Sequence, residues 1–196
     1  MTARPKPKLH DKFAPGTPTV KVTQLEAAIR QLVQAIEMFF FDKDPVSIHS
    51  LTRNAEEILS TILETKGLKS MWTTMIEAVK PERQEEFRKM VDGARTAFKH
   101  RVIDEGEMIE MPLEMNDLFL FIGTHAVHTN WPDIYKLNPE LALFEGWYIV
   151  HHPGALSDSS PGAPMVKKIA SSPALQTLTK QDFYHEFYEI VRAALK

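Results

Sequence analysis

Eight histidines and no cysteine set the chemistry open to this 196-residue chain. Without a thiol there is no disulfide, thiolate metal site, iron–sulfur cluster or cysteine nucleophile. Imidazole remains as the group that exchanges a proton near neutral pH. One string sets it near an anion binder: Arg95-Thr96-Ala97-Phe98-Lys99-His100. A planar guanidinium fork holds a phosphate, and a histidine beside it can activate a ribose hydroxyl. Arg95 and His100 are therefore the candidate catalytic pair, for cleavage of RNA. On a straight helix five positions leave two side chains about 140° apart. The pair would meet across a dimer cleft or where the helix end loosens. Arg88, Lys89, Lys99 and Arg101 make the same segment cationic, which also suits a solvated helix end beside the negative pole of its dipole.

A second pair, His125 and His128, stands three residues apart and shares a helical face. Two imidazoles are fewer ligands than a transition-metal site needs. No glutamate in the chain has a histidine three residues after it, so the Glu-x-x-His pairs of di-iron bundles are missing. The expectation is a pair of polar groups near a helix end, with no metal and no cofactor. His151 and His152 point to different sides of their helix, and His185 lies on an amphipathic tail.

The elements that must position these groups read as helices. Thr23-Gln24-Leu25-Glu26 fits a capping box, and Leu25, Ile29, Leu32, Ile36 and Phe39 continue it as an apolar stripe to about residue 41. Asp44-Pro45 opens a second helix, with a stripe of Ile48, Leu51, Ala55, Ile58 and Ile62 and Gly67 as its C-terminal cap. The joint Asp42-Lys43-Asp44 is short enough to predict an antiparallel hairpin. Leu68 to Val79 gives a third helix. Pro81 starts a fourth, which carries Phe87, Met90, Val91, Ala94 and Phe98. Residues 102–111 read equally as a small hairpin or a loop. A fifth helix is expected over about 112–129, and a sixth from Asn138-Pro139, bearing Leu141, Phe144, Trp147, Tyr148 and His151. Thr179, with Asp182 three residues on, caps a last amphipathic helix suited to dock on the bundle or on another subunit.

The fold class is thus all-α, a bundle of six to seven helices. Residues 1–19 form a proline-rich basic arm, 20–152 the helical domain, 153–178 a flexible connection and 179–196 the terminal helix. Lys plus Arg number 23 against 26 Asp plus Glu, a formal charge of −3, which excludes a strongly basic nucleic-acid binder but leaves room for a local basic patch. No run approaches the length of a membrane span, and no apolar segment follows the N-terminal cations as a secretory signal would require. A soluble, cytoplasmic protein is expected.

Two resemblances attach to these residues. The Arg-x4-His string of Arg95 and His100 resembles the motif of the HEPN superfamily, all-α domains often acting as metal-independent ribonucleases. Thr96 stands where that superfamily usually has Asn, Asp or His. The block Asp44-Pro45-Val46-Ser47-Ile48-His49-Ser50-Leu51, with Glu56-Glu57-Ile58-Leu59, Phe98-Lys99-His100 and His152-Pro153, is similar to a family of small uncharacterised bacterial helical proteins over about residues 22–153. After Phe-Lys-His this chain has Arg101-Val102-Ile103-Asp104 in place of that family's acidic segment. The resemblances imply a bacterial helical protein, and both converge on His49 and Lys99-His100. If antiparallel packing brings His49 to the end of the fourth helix, His49 and Lys99 would bind the ligand beside Arg95 and His100. The leading expectation is a homodimeric binder or nuclease for RNA or another phosphate-bearing ligand. The alternatives are a non-catalytic interaction or dimerisation module and a histidine-ligated metal protein.

Overall fold

The computed structural model describes residues 17–100, 108–152, 154, 168 and 171–196. Side chains of residues 78, 90, 94–97, 99 and 100 are excepted. Among these residues the chain is all-helical, with no strand. The helices are α1 (Gln24–Phe40), α2 (Pro45–Thr65), α3 (Met71–Ala78), α4 (Gln84–His100), α5 (Glu114–Asn130), α6 (Pro132–Leu137), α7 (Pro139–His151), α8 (Pro173–Gln176) and α9 (Lys180–Ala194). A 3-10 turn, Pro81–Arg83, leads into α4. Nine described helices exceed the expected six to seven because two short ones, α6 and α8, carry too few residues to show a stripe. None is long and apolar enough to cross a membrane.

The helix ends follow their chemistry. Thr23 and Glu26 close the capping box with bonds of 3.1 and 2.7 Å. Asp44 accepts from the Ser47 N–H at 2.8 Å ahead of Pro45. Gly67, at φ +73°, supplies the left-handed residue after α2, and Thr179 accepts from the Asp182 N–H to start α9. Between α1 and α2 the chain reverses within four residues, and Asp42 takes φ +47°; Asp is among the residues that tolerate that region.

The core is built on α1, whose Ile29, Leu32, Ile36 and Phe39 are buried as its stripe requires. Helices α2, α5, α7 and α9 pack around it. Phe39 and Phe40 meet each other, Phe144 and Trp147 edge to face, centroids 4.7–6.5 Å apart. Phe183 of α9 stacks on Phe40, so the terminal helix docks on the bundle. Helix α5 comes so close to α1 that a Cβ on Gly123 would stand 3.1 Å from Leu32 Cδ1.

Helix α2 departs from its expected stripe. Leu51, Ile58 and Ile62 are only partly buried, while His49, Thr52, Arg53, Glu56, Leu59 and Leu63 are enclosed. The reason is a second layer: α4 and α5 cover the flank that the stripe leaves open. Arg53, 2% exposed, donates to Glu56 at 2.7 Å and to Asp92 of α4. Its guanidinium lies 4.0 Å from the centroid of the Phe119 ring. A buried charge is tolerable when it is paired and hydrogen-bonded in this way.

Candidate functional site

The one group of three metal-ligating side chains found among the described residues sits where α5, α6 and α7 meet. Helix α5 ends at Asn130 because Pro132 disfavours a helical Trp131, which adopts φ −140°, ψ 62°. Six residues of α6 follow, then Asn138-Pro139 turns the chain into α7. Asp117 faces His152, Phe121 stacks on Tyr148 and His125 meets Glu145, so α5 and α7 run antiparallel. This turn sets the last two turns of α5 against the middle of α7, with α6 alongside.

Glu145 is the hub. Its Oε1 lies 3.1 Å from His125 Nδ1 and its Oε2 2.9 Å from His128 Nδ1. Tyr135 of α6 donates its hydroxyl to Oε2 at 2.5 Å. The carboxylate is 10% exposed, the two imidazoles 42% and 50%. A ring braces each imidazole: Tyr135 stacks on His128 with centroids 4.2 Å apart and planes 11° apart, and Phe121 stacks on His125 at 5.7 Å. One donor atom from each of His125, His128 and Glu145 falls within 4.8 Å of the others.

The electrostatics follow from this contact. Burial alone would raise the Glu145 carboxyl. The hydrogen bonds from His125 and Tyr135 and the charges of His128 and His125 outweigh it, and the carboxyl lies below its ordinary value. The bond to Glu145 raises His125, against the smaller effect of its own burial. Burial, then the adjacent carboxylate, pushes the Tyr135 phenol up, so it stays a donor. A negative, partly desolvated oxygen pair facing two nitrogens is a donor set for a borderline metal ion. Without an ion it is a carboxylate holding two imidazoles in fixed orientation.

The residues expected from sequence are distributed differently. His49 is enclosed, 1% exposed, with Nδ1 3.0 Å from Asn116 Oδ1. Asn116 in turn donates to the Pro45 carbonyl. The His49 ring meets Phe119 at 6.0 Å and Phe98 at 6.2 Å. Through Phe98 the end of α4 does reach the His49 turn. The side chains of Arg95, Lys99 and His100 lie outside the described ones. His151 bonds the Trp147 carbonyl, His152 stacks on Tyr148 and His185 is exposed. Neither Glu145 nor Tyr135 is found by local spacing, since they come from other helices. The available signal is a lone carboxylate in the apolar run Leu141-Ala142-Leu143-Phe144-Glu145-Gly146-Trp147-Tyr148.

No family model matches the chain, and no curated protein or solved structure matches it.

Proposed function

We propose that this protein binds a divalent transition-metal ion of the zinc class through His125, His128 and Glu145. The observation that carries the reading is the gathering of three donors from two helices within 4.8 Å, around a carboxylate that is itself buried. Donors about 2.1 Å from one ion stand roughly 3–3.5 Å from each other. The Glu145–histidine separations, 3.1 Å to Oε1 and 2.9 Å to Oε2, fall on two different oxygens, so an ion would take one or both of them in place of the imidazole protons. Two nitrogens and one oxygen suit zinc, nickel, copper or iron(II) better than calcium or magnesium, which prefer all-oxygen shells. Three protein ligands and half-exposed imidazoles would leave a position for water, as in catalytic rather than closed structural sites. Such an ion would polarise an oxygen or lower the pKa of bound water. Tyr135 orients Glu145 from the buried side.

The test is equilibrium dialysis of the full chain, purified without a histidine tag, against zinc. About one equivalent per chain is expected, with affinity at least tenfold lower in His128→Ala and Glu145→Gln. Equal uptake by parent and variants would overturn the reading.

A second reading belongs to the end of α4. A HEPN-like phosphate- or RNA-binding function of Arg95 and His100, with Lys99 beside them, is favoured by the Phe98–His49 contact. His49 would then brace the helix end from inside, and a homodimer would bring two such ends together. RNA cleavage in chelator that Arg95→Ala and His100→Ala abolish would support it; cleavage unchanged in both would exclude it. In either reading the lack of cysteine favours a cytoplasmic location.

A further inference from the structure

His125 has two working edges. Nδ1 faces Glu145, while Nε2 lies 3.4 Å from Thr129 Oγ1 on the opposite side of the ring. His125 and Thr129 both line a cleft of about 290 Å³ between the C-terminal part of α2, α3 and the end of α5. Leu63, Met71 and Ala126 give the cleft apolar walls, and Lys69, Thr74 and Thr129 give it polar ones. Leu63 and Ala126 are buried, whereas Thr74, Thr129 and Lys69 are exposed. The polarity therefore runs from an apolar interior to a rim on which Lys69, Thr74 and Thr129 stand beside the exposed Leu68.

We propose that this cleft receives a small aliphatic carboxylate, with its anionic end against His125 Nε2 and Thr129 Oγ1 and its chain on Leu63, Met71 and Ala126. The inference rests on the metal reading. An ion on Nδ1 leaves the single proton of a neutral imidazole on Nε2, so the edge facing the cleft becomes a donor. Thr129 adds a second donor on the same side. Lys69 supplies the cation: its ammonium lies 2.7 and 3.0 Å from the two Glu77 oxygens, an exposed pair that a ligand can compete with at little cost. One lysine and an apolar wall fit a monoanion with a hydrocarbon tail better than a phosphate, which would need more donors. The volume accommodates a few carbons.

The experiment is calorimetric titration of the zinc-loaded and the zinc-free full chain with acetate, butyrate and hexanoate, with zinc content measured separately. Affinity should rise about fourfold per added methylene while the chain is being buried. The zinc-loaded form should bind hexanoate at least tenfold more tightly than the zinc-free form. Thr74→Trp, at the exposed rim, should retain zinc and lose the gain with chain length, which separates the cleft from direct carboxylate coordination by zinc. Zinc uptake with affinities flat across the series, or a Thr74→Trp series identical to the parent, would overturn this inference and leave the metal reading standing. A chain that takes up no zinc would overturn both.

Discussion

Three donors converge on Glu145, and the charge that holds them can be removed without changing the shape of the side chain. Glu145→Gln replaces an acceptor-only group with an amide whose NH2 must face a donor. In chelator it should cost about 1–3 kcal/mol in urea denaturation. The pH window follows from the two partners. The Glu145 carboxyl is lowered by its contacts, so its contribution is present above the unfolded carboxylate range and lost as pH falls. His125 is raised, so its contribution is complete below the unfolded histidine value and lost as pH rises through the folded one. The gap between parent and variant should therefore be widest at about pH 5–6; a gap constant from pH 4 to 8 would show that the charge pairing is idle. Asp117 behaves in the opposite sense to Glu145. Burial pushes it up to about 6, against the attraction of Lys180. A raised acid stabilises the fold when protonated, below its unfolded pKa, and that stabilisation is lost as pH rises through the folded value. Asp117→Asn should thus be the more stable protein at pH 8, by on the order of 1–2 kcal/mol, and equal to the parent near pH 4. A variant less stable at pH 8 would contradict this.

At the level of the helices, α2 acts as a two-sided wall. One flank packs on α1 through Ile48 and Ala55, and the other holds Arg53 against Glu56 and Asp92. Arg53→Ala takes the cation away from the buried Glu56 carboxylate, which keeps the Ser60 hydroxyl at 2.6 Å, and should cost about 3–5 kcal/mol, read by thermal or denaturant melting. Arg53→Ala together with Glu56→Ala should cost less than the sum of the single changes, and strict additivity would show that the pair is not coupled. The helical spacing of Ile and Leu shows α2 as a helix, but of the stripe it suggests only Ile48 and Ala55 are buried. The polar flank does not show in the sequence, since an arginine and a glutamate at that spacing look like an ordinary exposed pair until α4 and α5 cover them. Caps were the most readable features, at Thr23, Asp44, Gly67 and Thr179, because each satisfies backbone groups within a few residues of itself. Helices α6 and α8 were not readable: six and four residues are too few to show a period.

For the whole molecule, the all-α plan was legible because proline starts, caps and stripes agreed over most of the chain, and no pair of alternating strands competed. The candidate site was half legible. His125 and His128 share a face that local spacing reveals. Glu145 and Tyr135 lie 17 and 7 residues beyond His128, brought back by the break at Trp131-Pro132 and the turn at Asn138-Pro139, and no periodicity encodes that return. The reverse holds for His49, which the two resemblances set beside a ligand cleft, while Phe98, Phe119 and Asn116 enclose it. The most direct test is anomalous diffraction at the zinc edge from crystals of the full chain grown with a slight molar excess of zinc. The expected result is one anomalous peak within about 2–2.3 Å of His125, His128 and Glu145 donor atoms. A map with no peak there, and Glu145 still hydrogen-bonded to both imidazoles, would contradict the metal centre.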